Sequence, residues 1–246
     1  MAVVGTNLTA DFTETPATSF VTASVSPASN ALIVVSVTSR TGISTEPNQP
    51  TVSGCGLTWV VIGPSSYWDT TSSSRKKSTC FCGMGASPSA GAITISFGGQ
   101  EQTNGNWSVD QFTGVDTSGT NGSGAVGGTG GTNIAHNEVG PDVGSITVTL
   151  GSFSSANNVT FGFITSDSWT GTSSAGSGFT ILGHPDDSAG TRCLTEWKST
   201  NDTTVDGSFD NTSGNQAGGI AFEINAAAVA ATSRILGGLL MMGMGN

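Results

Sequence analysis

Residues 75–113, RKKSTCFCGMGASPSAGAITISFGGQEQTNGNWSVDQFT, carry the clearest strand pattern of the chain. Three short runs in this stretch alternate apolar and polar residues, so the apolar side chains of each run share one face of a strand. They are Cys80, Cys82 and Met84 in the first run, Ile93, Ile95 and Phe97 in the second, and Trp107 and Val109 in the third. Glycine, proline or asparagine separates the runs. This predicts an antiparallel meander with one face toward a core and one toward water.

Three features of this region need separate interpretation. Phe112 breaks the period of the third run, which predicts a bulge there. The basic cluster at residues 75–77 is interpreted as a solvated strand entrance. A disulfide from Cys55 to Cys80 or Cys82 is open, and so is the alternative in which these residues pack as small hydrophobes.

Extended runs flank this stretch on both sides. Residues 31–37, ALIVVSV, form a near-continuous apolar run typical of a strand buried on both faces. Residues 57–62, LTWVVI, predict another strand, which Gly63 and Pro64 would end. Further strand patterns lie at residues 19–25, 146–150, 159–164, 179–182, 192–198, 205–209 and 219–224. No amphipathic helix pattern precedes Ala226, so we predict an all-β, two-sheet antiparallel jelly-roll-like sandwich with a C-terminal apolar arm.

The two halves of the chain carry strand patterns in the same order. Residues 31–116 and 158–225 form a candidate pseudo-repeat, in which AITISFGG of the first half corresponds to TVDGSFDN of the second. A duplicated unit and the pseudo-symmetry of a single sandwich both explain this order. Residues 116–131 are rich in glycine and have the composition of a linker. We predict one two-layered β-sandwich domain over residues 1–225 and a C-terminal assembly arm over residues 226–246.

Twelve apolar residues of the predicted strands are expected to be largely buried. They are Ile33, Val35, Trp59, Ile93, Ile95, Phe97, Trp107, Val109, Phe161, Phe163, Ile220 and Phe222.

Charged residues are scarce and mostly acidic. They make up 10% of the 246 residues, and the formal net charge is −10 at pH 7. Such a chain repels phosphate backbones, so we predict no nucleic-acid partner. No apolar run is long enough to cross a membrane, and the N-terminus lacks the pattern of a signal peptide. We therefore predict no membrane partner and no secretory signal.

Residues that carry catalysis or bind metals are sparse. No nucleophile elbow, P-loop or dinucleotide motif lies at a strand-to-helix turn. The cysteines and histidines are too widely spaced for a zinc site. Asp-rich loops at residues 186–187, 202 and 206–210 offer oxygens to Ca²⁺, but without EF-hand spacing. Glu196 and Lys198 are interpreted as members of a cross-strand ion pair. We predict no catalytic residue, no metal and no cofactor, and we expect that the protein is not an enzyme.

Three segments resemble β-rich proteins that recur in tailed bacteriophages. They are PTVSGCGLTW at 50–59, GASPSAGAITISFGGQ at 85–100 and WSVDQFTGVDTSGTNGSGA at 107–125, and SRILGGLLMMGMGN at 233–246 resembles the ends of such proteins. In phages these are typically virion, tail or head-surface proteins. The resemblance covers about half of the chain, and its motifs are structural. It implies a jelly-roll-like sandwich in a virion, and it transfers no active-site residue.

The C-terminal apolar run is the predicted assembly contact. It follows the strand pattern GGIAFEI and carries large side chains that the sandwich does not need, separated by glycines that let the backbone enter a narrow groove. They are Ile235, Leu236, Leu239, Leu240, Met241 and Met242. With the resemblance, this run favours a structural virion protein, a capsid-surface decoration protein that docks on the particle through its terminal arms. The expected partners are copies of itself and a major capsid or tail protein. The expected localisation is the virion, after synthesis in the host cytoplasm.

A receptor- or glycan-binding tail module is the alternative. Tyr67, Trp68 and Trp169 are predicted in polar loops, where aromatic rings could stack on a host-surface glycan. The competing interpretation makes these rings lids over the core.

Overall fold

The computed structural model of the protein describes residues 2–69, 75–128, 130–167, 173–185, 191–209 and 216–228. This described part is all-β, without a helix, and every strand pairing is antiparallel. The strands are β1 Val4–Thr13, β2 Ser19–Val21, β3 Leu32–Arg40, β4 Thr51–Gly54, β5 Val60–Trp68, β6 Lys76–Gly83, β7 Ile93–Ser96, β8 Asn104–Thr113, β9 Ile134–Val139, β10 Ser145–Thr149, β11 Val159–Ser166, β12 Ser173–Ala175, β13 Thr180–Gly183, β14 Arg192–Lys198, β15 Thr204–Phe209 and β16 Ala217–Ile224.

The strands form four sheets in two pairs. The first large sheet has the order β1-β8-β3-β6-β5, and the first small sheet has the order β2-β7-β4. The second large sheet has the order β9-β16-β11-β14-β13, and the second small sheet has the order β10-β15-β12. The predicted all-β, antiparallel, jelly-roll-like sandwich is confirmed. The described chain contains two such sheet pairs rather than one.

Each half of the chain follows the strand order of a jelly roll. In that fold the first, eighth, third and sixth strands form one sheet, and the second, seventh, fourth and fifth form the other. Here the fifth strand of each half joins the large sheet instead, beside the sixth. The same order occurs in both halves, with β9 in the place of β1 and β16 in the place of β8. The repeated order is longer than the predicted segments 31–116 and 158–225, because it includes the two strands before each of them.

Three apolar cores separate the four sheets. The core between the first small and first large sheets includes Ile33, Val35, Phe97 and Trp107. The core between the two large sheets, called the central core below, includes Val34, Phe112, Phe161 and Phe222. The core between the second large and second small sheets includes Ile146, Leu194 and Val205. The large sheets are buried on both faces, because successive residues of one strand enter different cores.

The two large sheets also meet at their edges. β5 contacts β9, and β1 contacts β13. Because β9 corresponds to β1 and β13 to β5, the contact is reciprocal, as in the isologous packing of two similar units. The approach of β5 to β9 is close at Gly63, which has a φ of +60°. A Cβ at that position would lie 2.5 Å from Cγ2 of Ile134.

Residues 75–113 supply three strands that do not form a meander. β3 lies between β6 and β8 in the first large sheet, and β7 lies in the first small sheet. The predicted meander is therefore wrong, because alternation fixes which residues share a face but not which strand lies alongside. The predicted water-facing side is wrong for β8 as well, whereas Thr94 and Ser96 on the polar face of β7 are half-buried. The polar face of β8 is covered by the second large sheet, and Ser108 and Asp110 are buried there.

Phe112 enters the central core, on the face of β8 opposite to Trp107 and Val109. The pairing of β8 with β3 is regular through Phe112. The irregularity lies in the neighbouring strand β1, between Asn7 and Thr9. The predicted bulge at Phe112 is wrong, because this residue follows the period of two and points to the second of two cores.

The strand predicted at residues 57–62 is displaced. β5 begins at Val60 and continues past Gly63 and Pro64 to Trp68, with an irregular register between Ile62 and Ser66. Pro64 is tolerated because it lies in this unpaired segment, where its missing N–H removes no ladder hydrogen bond.

The described part of the Gly-rich segment 116–131 is anchored to the sandwich. Ala125 and Val126 belong to the central core, and Val126 forms a bridge with Ile224 at the end of β16. The backbone N–H of Gly127 donates to the carbonyl of Glu223 at 2.7 Å. The composition of a linker was misleading, because the glycines here make close backbone contacts instead of supplying flexibility.

The predicted core residues are buried, with one exception. Trp59 is half-buried and precedes β5, and its indole N–H donates to the carbonyl of Gly54 at 3.2 Å. Ile93, Ile95 and Phe97 are fully buried together, which confirms the predicted faces of β7.

No disulfide joins the four cysteines, all of which lie in the described ranges and are buried. Cys55 lies in the core beside the first small sheet, whereas Cys80 and Cys82 lie in the central core. Cys55, Cys80 and Cys82 therefore pack as small hydrophobic side chains and do not form the alternative disulfide. Burial raises the pKa of Cys80 to about 12 and that of Cys82 to about 11, which makes both thiols poor nucleophiles.

Candidate functional site

A polar cleft lies where the chain leaves the sandwich. Its volume is about 660 Å³. Its walls come from the Gly-rich segment, from the loop after β10 with Ser154 and Asn158, and from residues 225–228 after β16. Ala228 is the last residue that the structure describes before residues 229–246. The predicted assembly arm therefore starts in this cleft, which we call the exit cleft.

Glu223 fixes the wall of the exit cleft. Its carboxylate accepts hydrogen bonds from Nδ2 of Asn133 at 2.7 Å and from the backbone N–H and Oγ of Ser154 at 3.0 and 2.8 Å. Nδ2 of Asn158 is a further donor to the same carboxylate. Burial favours the protonated form, but these hydrogen bonds outweigh it and lower the pKa of Glu223. Glu223 is thus an ionised carboxylate whose hydrogen bonds connect β16 to Asn133 and to the loop with Ser154 and Asn158.

An apolar groove opens beside the exit cleft, between the edge strands β5 and β9. Its volume is about 260 Å³, and Ser123 and Gly131 line both depressions. Its apolar walls come from Val60, Ile62 and Ile134. Val60 is 44% exposed although it is a large hydrophobic residue in a strand. We call this depression the edge groove. Sequence reasoning missed it, because its walls come from segments distant in the chain.

The predicted assembly residues lie outside the described residues. These are Ile235, Leu236, Leu239, Leu240, Met241 and Met242, all within 229–246. Their role as an assembly contact stays a prediction. Trp169 also lies outside the described residues, within 168–172.

The other two predicted aromatic site residues belong to β5 and not to a polar loop, so that placement is wrong. Trp68 is buried, and its indole N–H donates to Oγ of Ser78 at 3.1 Å. Its ring cannot serve as an exposed stacking surface in this position. Tyr67 is half-buried and its hydroxyl accepts a hydrogen bond from Nη1 of Arg75 at 2.6 Å. A ligand-binding role for Tyr67 stays a prediction.

The basic cluster at residues 75–77 is divided between two environments. Arg75 and Lys77 are half-buried, whereas Lys76 is fully buried between the two large sheets. Lys76 forms ion pairs with Asp69 and with Asp167, the latter at 2.8 Å. The predicted solvated strand entrance is wrong for Lys76. Its side chain shares a face of β6 with Ser78, Cys80 and Cys82, all of which point toward the second large sheet.

Asp110 is a second buried charge site between the large sheets. Its carboxyl accepts hydrogen bonds from Nδ2 of Asn7 at 2.8 Å and from Oγ of Ser108 at 3.1 Å. Burial raises the pKa of Asp110 to about 6, although the hydrogen bonds from Asn7, Thr195 and Ser108 oppose the rise. The folded protein therefore holds a proton on this carboxyl at mildly acidic pH, where an unfolded chain does not.

We expect Asp110→Asn to change how stability depends on pH. Between the ordinary pKa of 3.8 and about 6, the wild-type folded state binds the proton and the unfolded state releases it, so the free energy of unfolding falls as pH rises. The neutral amide of the variant does not titrate. Its stability relative to wild type should therefore rise by about 2–3 kcal/mol across this window and then stay constant. Urea denaturation at a series of pH values measures the difference. A difference that does not vary with pH would contradict the prediction.

Within the described ranges, no group of three or more His, Cys, Asp or Glu side chains is arranged to hold a metal ion. The same ranges contain no helix that is long and apolar enough to span a bilayer.

The chain matches no protein-family model, and neither the curated proteins nor the solved structures that were compared with it are similar to it.

Proposed function

We propose that the protein is a structural virion protein of a tailed phage, a capsid-surface decoration protein that joins the particle through its C-terminal arm. One observation supports this proposal most directly. The apolar edge groove lies beside the exit cleft, which residues 225–228 line, and the most apolar run of the sequence follows these residues in the chain. The proposed occupant of the edge groove is the arm of a neighbouring copy of the chain.

The chemistry of the groove and of the arm is complementary. The groove offers aliphatic walls at Val60, Ile62 and Ile134. The arm offers six large apolar side chains separated by glycines, which let the backbone approach these walls closely. Each fully buried side chain of this kind contributes roughly 1.5–3 kcal/mol before the cost of ordering the arm. Exchange of an identical element between copies is a low-cost route to a dimer.

Deletion of residues 233–246 tests the role of the arm. We expect a folded protein with a nearly unchanged melting temperature, because the three described cores are built from residues up to Ala226. We also expect loss of self-association, measured by light scattering on a sizing column. If the shortened protein is monomeric but unfolded, the arm belongs to its own core and the assembly proposal fails.

A charge in the edge groove tests the receptor side. Val60→Glu should abolish self-association, because the arm would have to cover a carboxylate. Val21→Glu is the matched control, since Val21 is also an exposed strand valine, 57% accessible, but lies in the first small sheet. Equal association of both variants and wild type would exclude the edge groove as the docking site.

The virion assignment itself is tested by purifying particles from infected cells. The protein should be present at a fixed, high copy number. Its absence from particles would contradict the proposal even if the arm drives self-association.

Among the described residues, glycan binding has less support than docking of the arm. Trp68 is buried, and Tyr67 contacts Arg75 within the protein.

A further inference from the structure

Lys76 lies between two carboxyl groups in a buried site formed by both halves of the chain. Lys76 is 1% exposed, Asp69 is 2% exposed and Asp167 is 13% exposed. Nζ of Lys76 contacts Oδ2 of Asp69 and lies 2.8 Å from Oδ1 of Asp167. Asp69 directly follows β5, Lys76 begins β6, and Asp167 directly follows β11. An amine and two carboxyl groups are thus held together where the two large sheets pack.

The neighbouring side chains orient and cover these three groups. Nε2 of Gln216 donates to Oδ1 of Asp69 at 2.7 Å, so one carboxyl oxygen is held by an amide while the other contacts Lys76. The ring of Trp68 covers Nζ of Lys76 at 5.2 Å from its centre. Asp69 has a φ of 55°, in the left-handed region that few non-glycine residues adopt. Backbone outliers of this kind concentrate at functional sites, because the surrounding structure must maintain them.

The ion pairs of Lys76 are more deeply buried than an ordinary surface ion pair of the same protein. Lys198 and Asp202 are joined at 2.7 Å, but about a quarter of each side chain is exposed, and water stabilises both charges. At Lys76, one ammonium faces two carboxylates with little water, and desolvation penalises every charge. Burial raises the pKa of Asp167, and Asp69 adds to the rise, although Lys76 and Arg40 oppose it. Transfer of one proton from Nζ to a carboxylate would remove two buried charges and leave an amine in contact with a carboxyl group.

We propose that Nζ of Lys76 and Cγ of Asp69 form an intramolecular amide (isopeptide) bond, with Asp167 as the proton carrier and Gln216 as the donor to the carbonyl oxygen. Holding reacting groups in contact replaces a bimolecular encounter by an effectively unimolecular step, which offers a large rate advantage. The contacts of the two carboxyl groups distinguish their roles. Asp69 is the electrophile because it contacts Nζ and has a donor on its second oxygen. Asp167 is the carrier because it lies within hydrogen-bond distance of the same Nζ.

The reaction is a condensation, and its atoms balance without an oxidant or a co-reactant. Asp167 takes one proton from the Lys76 ammonium and passes it to Oδ2 of Asp69. The neutral amine then attacks Cγ, and Gln216 stabilises the negative charge that develops on Oδ1. The nitrogen loses a second proton, again through Asp167, to the same Oδ2. That oxygen leaves as water, the C–N bond remains, and Asp167 returns to its starting state.

The product would link the end of β5 covalently to the start of β6. This bond would close the short connection between the two strands, and it would remove a buried positive and a buried negative charge at once. The inference does not depend on the role of the arm or on the virion assignment.

Intact-mass spectrometry of the full-length protein tests the bond. The wild-type mass should be lower than the sequence mass by one water molecule, and peptide sequencing should find Lys76 joined to Asp69. Lys198→Arg is the matched control, and it should retain the loss of water. Lys76→Arg and Asp167→Asn should show the full sequence mass, the first because it removes the amine and the second because it removes the proton carrier.

Asp69→Asn gives a signature that a structural role would not produce. If the side chain of residue 69 is the electrophile, the amide variant should lose ammonia instead of water when it links to Lys76. A wild-type protein at full sequence mass would overturn the proposal, whether or not the variants fold. A link between Lys76 and Asp167 would overturn the assigned roles.

Discussion

Replacing Trp107 with alanine is expected to lower the free energy of unfolding by about 3–5 kcal/mol, the range for truncating a large aromatic side chain in a well-packed core. Trp107 is 4% exposed in the core between the first small and first large sheets. Its ring stacks on Phe20 with centroids 5.9 Å apart, and Phe20 in turn meets the edge of Phe97 at 5.1 Å. The loss would leave a cavity that rigid strands on both sides cannot close. The shift of the urea midpoint at an unchanged slope measures it.

Two variants make the Trp107 experiment specific. Trp59→Ala removes the same side chain from a half-buried position outside the strands, so its effect should be less than half as large. Trp107→Phe keeps an aromatic ring and removes an indole N–H that has no hydrogen-bond partner among the described residues, so it should cost less than about 1.5 kcal/mol. Equal losses for Trp107→Ala and Trp59→Ala would show that this core is not well packed around Trp107.

The success and failure of the sequence-based fold prediction have one physical origin. Alternation along Ile93, Ile95 and Phe97 predicts a shared buried face, because side chains of a strand point alternately to opposite sides. The same rule places Ser108 and Asp110 together on one face of β8, and their polar side chains suggest that this face is exposed to water. They are buried because a second large sheet packs on that face. The pattern of one strand contains no information on how many sheets stack, so the four-layered arrangement could not be predicted.

The candidate sites were predictable only in part. The arm is visible in the sequence as a glycine-separated apolar run after the last strand, and its role stays a prediction. The edge groove is not visible, because Val60 and Ile134 come from different halves of the chain. The burial of Lys76 could have been predicted, since it lies an even number of residues before Cys80 and Cys82 and therefore shares their face of β6. The adjacent cations Arg75 and Lys77 made the whole cluster look solvated.

The sequence-based prediction also fails at Glu196. The predicted cross-strand ion pair with Lys198 is wrong, because Lys198 pairs with Asp202 at 2.7 Å. Glu196 is fully buried between the second large and second small sheets. Its Oε2 accepts a hydrogen bond from the backbone N–H of Gly176 at 2.9 Å, and its Oε1 has no partner among the described residues. Burial raises the pKa of Glu196 to about 8, the Gly176 N–H lowers it, and Asp206 adds to the rise.

This raised pKa predicts that the fold loses stability as pH increases. An unfolded chain releases the Glu196 proton near its ordinary pKa of 4.5, whereas the folded protein keeps it up to about pH 8. Between these values the folded state binds the additional proton, so the free energy of unfolding falls with rising pH. At about 1.4 kcal/mol for each pH unit, the loss is on the order of 3–5 kcal/mol. It is complete once pH exceeds the folded pKa.

Glu196→Gln should remove this loss. A neutral amide keeps the shape of the side chain and an oxygen that can accept from Gly176, but it does not titrate. We expect the variant to match wild type near pH 4.5 and to become progressively more stable than wild type up to about pH 8, where the advantage reaches the same 3–5 kcal/mol.

Comparison with Asp110→Asn separates the two buried carboxyl groups. The advantage of Asp110→Asn over wild type should stop growing at about pH 6, whereas that of Glu196→Gln should continue to grow to about pH 8. Lys198 and Asp202 are unchanged in both variants, so their ion pair does not contribute to the difference. If the advantage of Glu196→Gln also ends near pH 6, or is the same at every pH, Glu196 is ionised in the folded protein at neutral pH. The layer between the second pair of sheets must then contain a positive or hydrogen-bonding partner for its second oxygen.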